Sequence, residues 1–199
     1  MTDGPPTAAL PYRFAGARTT PRLLLRPFLD ADRDALARIH CDAEVARWLY
    51  WDARTPAELD EVLARKRGQT ALAVDGDVLA LAGVDVETGE LVLDAVLVLR
   101  SAEHAEGELG YSVAPAHQGR GLATEATRAL LAIGFDEVRL HRIIGRLEPR
   151  NVASGRVLER AGLRREALLV DNEWVKGEWQ SEAVYALLAP AWRAGDAGR

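Results

Sequence analysis

The amino-acid sequence predicts a single α+β domain, and three observations lead to this class. The chain has 199 residues, which is enough for one domain with a full hydrophobic core. Helical segments come first, an antiparallel run of strands follows, and the second half has the order β-α-β-α-β-β. No internal repeat or interior linker divides the chain.

The N-terminal region begins with a segment that has no periodicity. Residues 1–19 are rich in Pro, Ala, Gly and Thr, which predicts a flexible tail. Residues 22–26 form an apolar strand that ends at Pro27. Leu36 and Ile39 then lie at helical spacing, which predicts a first helix.

Two more short helices and a hairpin precede the middle of the chain. Val45 and Trp48 indicate a second helix, and residues 55–58 form a capping box with Pro at the first helical position. Asp75-Gly76 is a strong hairpin signal, so strands are expected on both sides of it. These strands cover residues 71–74 and 78–84.

The remaining strands are expected over residues 91–99, 108–113, 142–147, 167–170 and 183–188. Apolar residues at helical spacing predict the helix after the 108–113 strand: Leu122, Ala126, Leu130 and Ile133. Another helix is expected over 151–160, and Gly162 fits the position just past its C-terminus.

The overall composition excludes several classes of protein. The net charge of −5 and the pI near 5.5 argue against nonspecific nucleic-acid binding. The single cysteine, Cys41, excludes an intrachain disulfide and a cysteine-rich metal site. No apolar run is long enough to cross a membrane, and the N-terminus lacks a secretory pattern. We therefore expect a cytoplasmic protein with no nucleic-acid or membrane partner.

The segment from Glu108 to Ala123 carries the clearest motif. It reads as a strand, a loop, a glycine turn and the start of a helix. The first amides of a helix are unpaired and lie at its positive end, so they can bind a phosphate group. Gly119 and Gly121 leave room for such a group and allow positive φ. A dinucleotide fingerprint is a distant alternative, because Thr124 stands where its third glycine would be.

This motif resembles the phosphate-binding loop of the GNAT superfamily of N-acetyltransferases. Gln118, Gly121 and Ala123 fit the pattern Gln/Arg-x-x-Gly-x-Gly/Ala. The resemblance is closest to the ribosomal-protein N-acetyltransferases of the RimJ/RimL type. Other matching segments are residues 20–26, 108–113, 140–143, 151–154, 162–163 and 177–185.

The resemblance implies a domain over residues 20–192, followed by a C-terminal tail over 193–199. Its fold would be a mixed, mostly antiparallel sheet that is flanked by helices and splayed between its fourth and fifth strands. Acetyl-CoA would be the cosubstrate, and no metal is implied. The residues implied to bind it are Val113, Gln118, Gly119, Arg120, Gly121, Leu122, Ala123, Thr124, Asn151 and Ser154.

The resemblance also implies catalytic roles. Glu108 is the candidate general base, because an amine near pKa ~10 is mostly charged at neutral pH. The alternative is a solvated strand-edge acid. Ser154 is the candidate general acid, since residues 154–160 lack the tyrosine that many relatives use. Asn151 could equally be a helix cap, and Tyr111 is more typical of a packed aromatic.

The acceptor would be a protein N-terminal α-amine or a small-molecule amine. An acidic run predicts a rim that attracts a cation, with only Arg100 against it: Asp85, Glu87, Glu90, Asp94, Glu103, Glu106 and Glu108. Trp48 and Trp51 fit either an aromatic wall or the core. A homodimer is left open. The alternative function is a noncatalytic CoA-binding sensor.

Overall fold

The computed structural model describes residues 7–195. The strands are β1 Tyr12–Arg13, β2 Arg18–Thr19, β3 Leu23–Arg26, β4 Ala71–Leu72, β5 Val78–Asp85, β6 Leu91–Ser101, β7 Glu106–Val113, β8 Arg142–Leu147, β9 Arg164–Val175 and β10 Glu178–Leu188. The α-helices are α1 Arg33–His40, α2 Ala43–Ala46, α3 Pro56–Gly68, α4 Leu122–Ala132, α5 Val152–Arg160 and α6 Ala189–Arg193.

An eight-stranded sheet organises the domain in the order β2-β3-β5-β6-β7-β8-β10-β9. All of its neighbours are antiparallel except β7 and β8, which are parallel and connected through α4. Their pairing covers only Glu106–Glu108 against Arg142–Ile144, and the two strands then separate. Counted without the two-residue β2, they are the fourth and fifth strands of this sheet along the chain. The mixed, splayed sheet predicted from the sequence is confirmed.

Helices cover both faces of the sheet, because its strands alternate apolar side chains between two cores. One core packs α1 and α3 against the sheet, with Leu36 and Ile39 at its centre. The other core packs α4 and α5 against the opposite face, with Leu130 and Leu158 among its members. No helix within residues 7–195 has the length and apolar character needed to span a bilayer.

Several local signals in the sequence specify the ends of helices as expected. Thr55 and Glu58 form the reciprocal capping box at the start of α3. Asn151 caps α5 by accepting a hydrogen bond from the backbone N–H of Ser154 at 3.1 Å. Gly162 follows the other end of α5 with φ +100°, the conformation that a C-terminal glycine supplies.

The N-terminal segment differs from the expected flexible tail. Residues 7–19 contain two short strands, and the side chain of Phe14 is buried in the core. Tyr12 donates a hydrogen bond to Glu137 at 2.8 Å, which holds the segment against the turn after α4. Residues 1–6 of the expected tail, and 196–199 of the C-terminal one, lie outside the described residues.

The turn predicted at Asp75-Gly76 is present, with Gly76 at a positive φ of +90°, but the strand ladder expected across it is wrong. β4 pairs with β1 in a separate two-stranded sheet, and only a single bridge joins Thr70 to Leu79 of β5. The carboxylate of Asp77 accepts the backbone N–H groups of Ala73 and Val74 at 2.7 and 2.9 Å. These side-chain bonds satisfy the backbone that a strand ladder would otherwise have paired.

Candidate active site

A cleft of about 700 Å³ opens where β7 and β8 separate. At one end it is lined by the loop from β7 into α4 and by α5. At the other end, which we call the far end, it is lined by the segment between α2 and α3 and by the hairpin of β9 and β10. The cleft therefore lies over the part of the sheet where β7 and β8 no longer pair.

The separation leaves one edge of β7 free to bind a ligand. Ala114 donates its N–H to the carbonyl of Val92 in β6 at 2.9 Å. Because successive residues of a strand direct their backbone groups to opposite neighbours, Val113 and Tyr111 direct theirs into the gap. The side chain of Gln118 reaches back and donates to the carbonyl of Val113 at 3.1 Å.

The glycine turn at the first end has the geometry of an anion site. Gly119 and Gly121 have φ values of +74° and +80°, and Gly121 is the N-cap of α4. Within the described residues no side chain caps this helix, so its first amides are open to the cleft. A Cβ on Gly119 would meet nothing within 4 Å. The turn is therefore shaped to receive a phosphate group.

The first turn of α4 is held in place from the β2–β3 side of the sheet. Arg22 donates to the carbonyl of Arg120 at 2.6 Å and to the carboxylate of Glu125 at 2.7 Å. Glu125 also accepts a hydrogen bond from Thr20 at 2.5 Å. Burial opposes its ionisation, but Thr20 and Arg22 outweigh this and lower the pKa of Glu125. Leu122, Ala123 and Thr124 all line the cleft, and Leu122 is otherwise buried. The side chain of Arg120 does not line it and lies 3.6 Å from Asp85.

The first turn of α5 forms the opposite wall. Ser154 and Asn151 both line the cleft, and the oxygen of the Asn151 side chain is occupied by the cap described above. Tyr111 donates its hydroxyl proton to the carbonyl of Ser154 at 3.2 Å. Burial raises the pKa of Tyr111 to about 12, so the phenol stays protonated. Its ring packs against the core, in agreement with a structural role.

Glu108 lies at the last position of β7 that pairs with β8, and the cleft begins beside it. Its Oε1 accepts a hydrogen bond from Nε of Arg146 at 3.0 Å. Its Oε2 is buried and accepts none, although Nε of Arg100 lies 3.5 Å away. Oε2 is therefore the carboxylate oxygen of Glu108 that has no hydrogen-bond partner within residues 7–195.

A second charged group lies deeper in the cleft. Asp94 is held between Nζ of Lys66 at 2.9 Å and Nε2 of His40 at 2.7 Å. The ring of His40 stacks on that of Trp51, with centroids 5.8 Å apart. Trp51 lines the cleft, as does Trp48. The two tryptophans therefore form part of the wall.

The acidic run at 85–108 does not form one rim, so that expectation is wrong. Asp94 and Glu108 line the cleft, whereas Asp85 caps a turn by accepting the N–H of Glu87, and Glu106 pairs with Arg142. The strand meander spreads these residues over separate surfaces.

Other charged residues, which sequence reasoning missed, line the cleft instead. Arg156 and Arg160 of α5 line it, as do Glu173 and Glu182 at the far end, together with the neutral Tyr50. An available signal was the spacing of Glu178, Gln180 and Glu182, which is polar at every second residue of a strand. Within residues 7–195, no group of three or more His, Cys, Asp or Glu side chains could hold a metal ion.

Comparisons with known proteins agree with this geometry. The N-acetyltransferase YnaD of Bacillus subtilis is 31% identical over 174 residues, which cover 87% of this chain and 98% of YnaD. The ribosomal protein uS5-alanine N-acetyltransferase of Escherichia coli is 35% identical over 98 residues, which cover 49% of this chain and 50% of that protein. The GNAT-family acetyltransferase of Bacillus anthracis has a TM-score of 0.79 and 28% identity, covering 88% of this chain and 99% of that one.

The family model for the acetyltransferase (GNAT) domain matches residues 22–164, from β3 to the start of β9. That range contains the splayed strands, the glycine turn and the first turn of α5. The resemblance inferred from the sequence is confirmed, and the chain belongs to the GNAT acetyltransferase family.

Proposed function

We propose that the protein transfers the acetyl group of acetyl-CoA to a primary amine by direct attack of the amine. The observation that carries this proposal is the position of the glycine turn. It lies at one end of the gap between β7 and β8, so a phosphate site and a free strand edge belong to the same groove.

The cosubstrate would bind along this groove. Its pyrophosphate would accept hydrogen bonds from the amides of residues 118–124, and the guanidinium groups of Arg156 and Arg160 would add positive charge. The amide-bearing arm would pair with the free edge of β7 near Val113, with Asn151 and Ser154 on the other side. These roles are supported by the open helix end and by the unpaired strand edge.

The reaction needs a proton acceptor, an oxyanion donor and a proton donor. The amine nitrogen forms a bond to the carbonyl carbon, and the bond between that carbon and sulfur breaks. Glu108, which lines the cleft, takes the proton that leaves the amine, directly or through a water molecule. The backbone N–H of Val113 polarises the carbonyl oxygen. Ser154 passes a proton to the thiolate and regains one from a water molecule, although a thiol of pKa ~8.5 needs little help.

The acceptor would be a protein N-terminal α-amine or a small-molecule amine. The E. coli relative named above acts on an N-terminal alanine, by its name, and this supports the first class. The open far end of the cleft, with its aromatic and acidic wall, is compatible with both.

The test is the release of free thiol from acetyl-CoA by the purified protein. The acceptors would be N-terminal peptides, polyamines, amino acids and aminoglycosides, and mass spectrometry would verify the acetylated product. We expect turnover with at least one class. Tight acetyl-CoA binding without turnover on any acceptor would favour a binding module instead.

The base is tested with Glu108→Gln, which we expect to lower kcat/KM about a hundredfold. Glu106→Gln is a matched control, because Glu106 lies on the same strand, pairs with Arg142 and does not line the cleft. Equal activity of the Glu108→Gln protein and the control would remove Glu108 from the mechanism.

A further inference from the structure

The far end of the cleft gathers carboxylates from distant parts of the chain. Glu108 comes from β7, whereas Glu173 and Glu182 come from the β9–β10 hairpin. Tyr50 joins them from the segment between α2 and α3, and its hydroxyl donates to Oε2 of Glu182 at 3.1 Å. We call Tyr50, Glu173 and Glu182 the far-end cluster.

Cations only partly neutralise these carboxylates. Arg146 donates to Glu108 and to Glu182, each at 3.0 Å, so a single guanidinium is shared between two carboxylates. Arg100 lies 3.5 Å from the other oxygen of Glu108. Glu173 belongs to none of the ion pairs formed within residues 7–195. Three carboxylates therefore meet two guanidinium groups, and Glu173 is the unmatched one.

The other charged groups near the far end do not offset this negative charge. Asp94 is matched by Lys66, and Glu148 is matched by Arg150 at 2.9 Å. Glu44, at the rim, adds a further carboxylate, which is highly exposed and lies 3.9 Å from Arg47. The charge of the far end is thus negative.

The pKa of Tyr50 indicates that both carboxylates of the far-end cluster lie near its hydroxyl group. Burial raises the pKa of Tyr50, and Glu173 and Glu182 raise it further because they disfavour a phenolate. The phenol therefore stays neutral, and its ring lines the cleft beside those of Trp48 and Trp51. A cation at this position would meet carboxylates and aromatic faces together, which is a favourable setting for an ammonium group.

We infer that the acceptor is a linear aliphatic amine with a second positive charge, and that the far-end cluster binds this second charge. This inference rests on the proposed function. The reacting amine lies near Glu108 and the second ammonium near Glu173. Arg146 contacts the carboxylates of both Glu108 and Glu182 at 3.0 Å, and the hydroxyl of Tyr50 lies 3.1 Å from Glu182. The span from Glu108 to the far-end cluster is therefore that of one guanidinium group, which an extended diamine can match. The second ammonium keeps its protons throughout.

The test compares putrescine with n-pentylamine, which has the same number of heavy atoms and a methyl group in place of the second ammonium. We expect kcat/KM to be at least about tenfold higher for putrescine, since a charge-assisted hydrogen bond is lost with n-pentylamine. Raising the salt concentration should lower this ratio. Equal values of kcat/KM for the two amines would overturn the inference.

The cluster itself is tested with Glu173→Gln, which removes the charge and keeps the shape. We expect the ratio of kcat/KM for putrescine to that for n-pentylamine to fall about tenfold. Glu178→Gln is the matched control on the same hairpin, because Glu178 pairs with Arg150 and does not line the cleft. It should leave the ratio unchanged. A ratio that responds equally to both variants would contradict a specific role for Glu173.

Assaying a neutral N-terminal peptide beside putrescine distinguishes failure of this inference from failure of the proposed function. If a neutral N-terminal peptide is acetylated with a higher kcat/KM than putrescine, the dication inference fails and the acetyltransferase proposal stands. If neither amines nor peptides release thiol from acetyl-CoA, the proposed function fails, and the inference fails with it.

Discussion

Lys66 and Asp94 form an ion pair in the interior, with Nζ 2.9 Å from the carboxylate and both side chains 8% exposed. Asp94→Asn would leave the ammonium group facing a neutral amide. We expect it to lower the free energy of unfolding by about 3 kcal/mol, because a buried charge then loses its partner. Urea denaturation measures this loss. In the double variant Lys66→Met/Asp94→Asn, much of the lost stability should be regained. A double variant as unstable as Asp94→Asn would argue against the ion pair.

The same pair predicts a pH dependence of stability. Burial opposes ionisation of Asp94, but Lys66 and His40 outweigh it, so the pKa of Asp94 lies below its ordinary value. A lowered pKa in the folded state stabilises above the unfolded value of about 4, and this contribution is lost as pH falls further. The stability gap between the wild type and Asp94→Asn should be constant from about pH 5 to 7 and narrow below about pH 4. A gap that persists to the lowest pH would contradict this assignment.

Gly121→Ala should separate stability from ligand binding. At φ +80° an alanine is strained, and we expect a loss of about 1 kcal/mol in stability. The added Cβ would lie 3.4 Å from Nη2 of Arg22, and the strained N-cap should displace the first amides of α4. Acetyl-CoA should therefore bind more weakly, as calorimetry would show. Gly76→Ala is the matched control, with φ +90° in a turn away from the cleft. It should lose similar stability and keep full affinity.

Ser154→Ala and Tyr111→Phe should have different effects on turnover. Ser154→Ala is expected to lower kcat by about tenfold or more, and to change the KM for acetyl-CoA less, if the hydroxyl protonates the thiolate. Tyr111→Phe should cost about 1 kcal/mol of stability and leave kcat nearly unchanged, since its proton is already donated to the carbonyl of Ser154. If kcat fell more in Tyr111→Phe than in Ser154→Ala, Tyr111 would be the proton donor to the thiolate and Ser154 would have the structural role.

The glycine turn could be predicted from the sequence because its physics is local. Two glycines between a strand and a helix specify positive φ and an open helix end, whatever the rest of the chain does. The same is true of the capping box at Thr55 and of the C-terminal Gly162. Assigning the loop to acetyl-CoA needed the family resemblance as well.

The far end could not be predicted in this way because its members are distant in sequence. Tyr50 and Glu182 are 132 residues apart, and only the strand order brings them together. The order of residues 7–19 could not be predicted for a similar reason. Its composition has no periodicity, and what holds Phe14 in the core is the pairing of β1 with β4, almost 60 residues later.

The β9–β10 hairpin lies at the edge of the sheet and contacts only β8 through its strand ladder. The glycine turn and α5 belong to segments of the chain outside this hairpin. In the proposed function, acetyl-CoA and the acceptor amine would therefore contact different segments of the chain. If the proposed function is correct, we expect that a hairpin grafted from a relative would change the acceptor preference and leave acetyl-CoA binding unchanged.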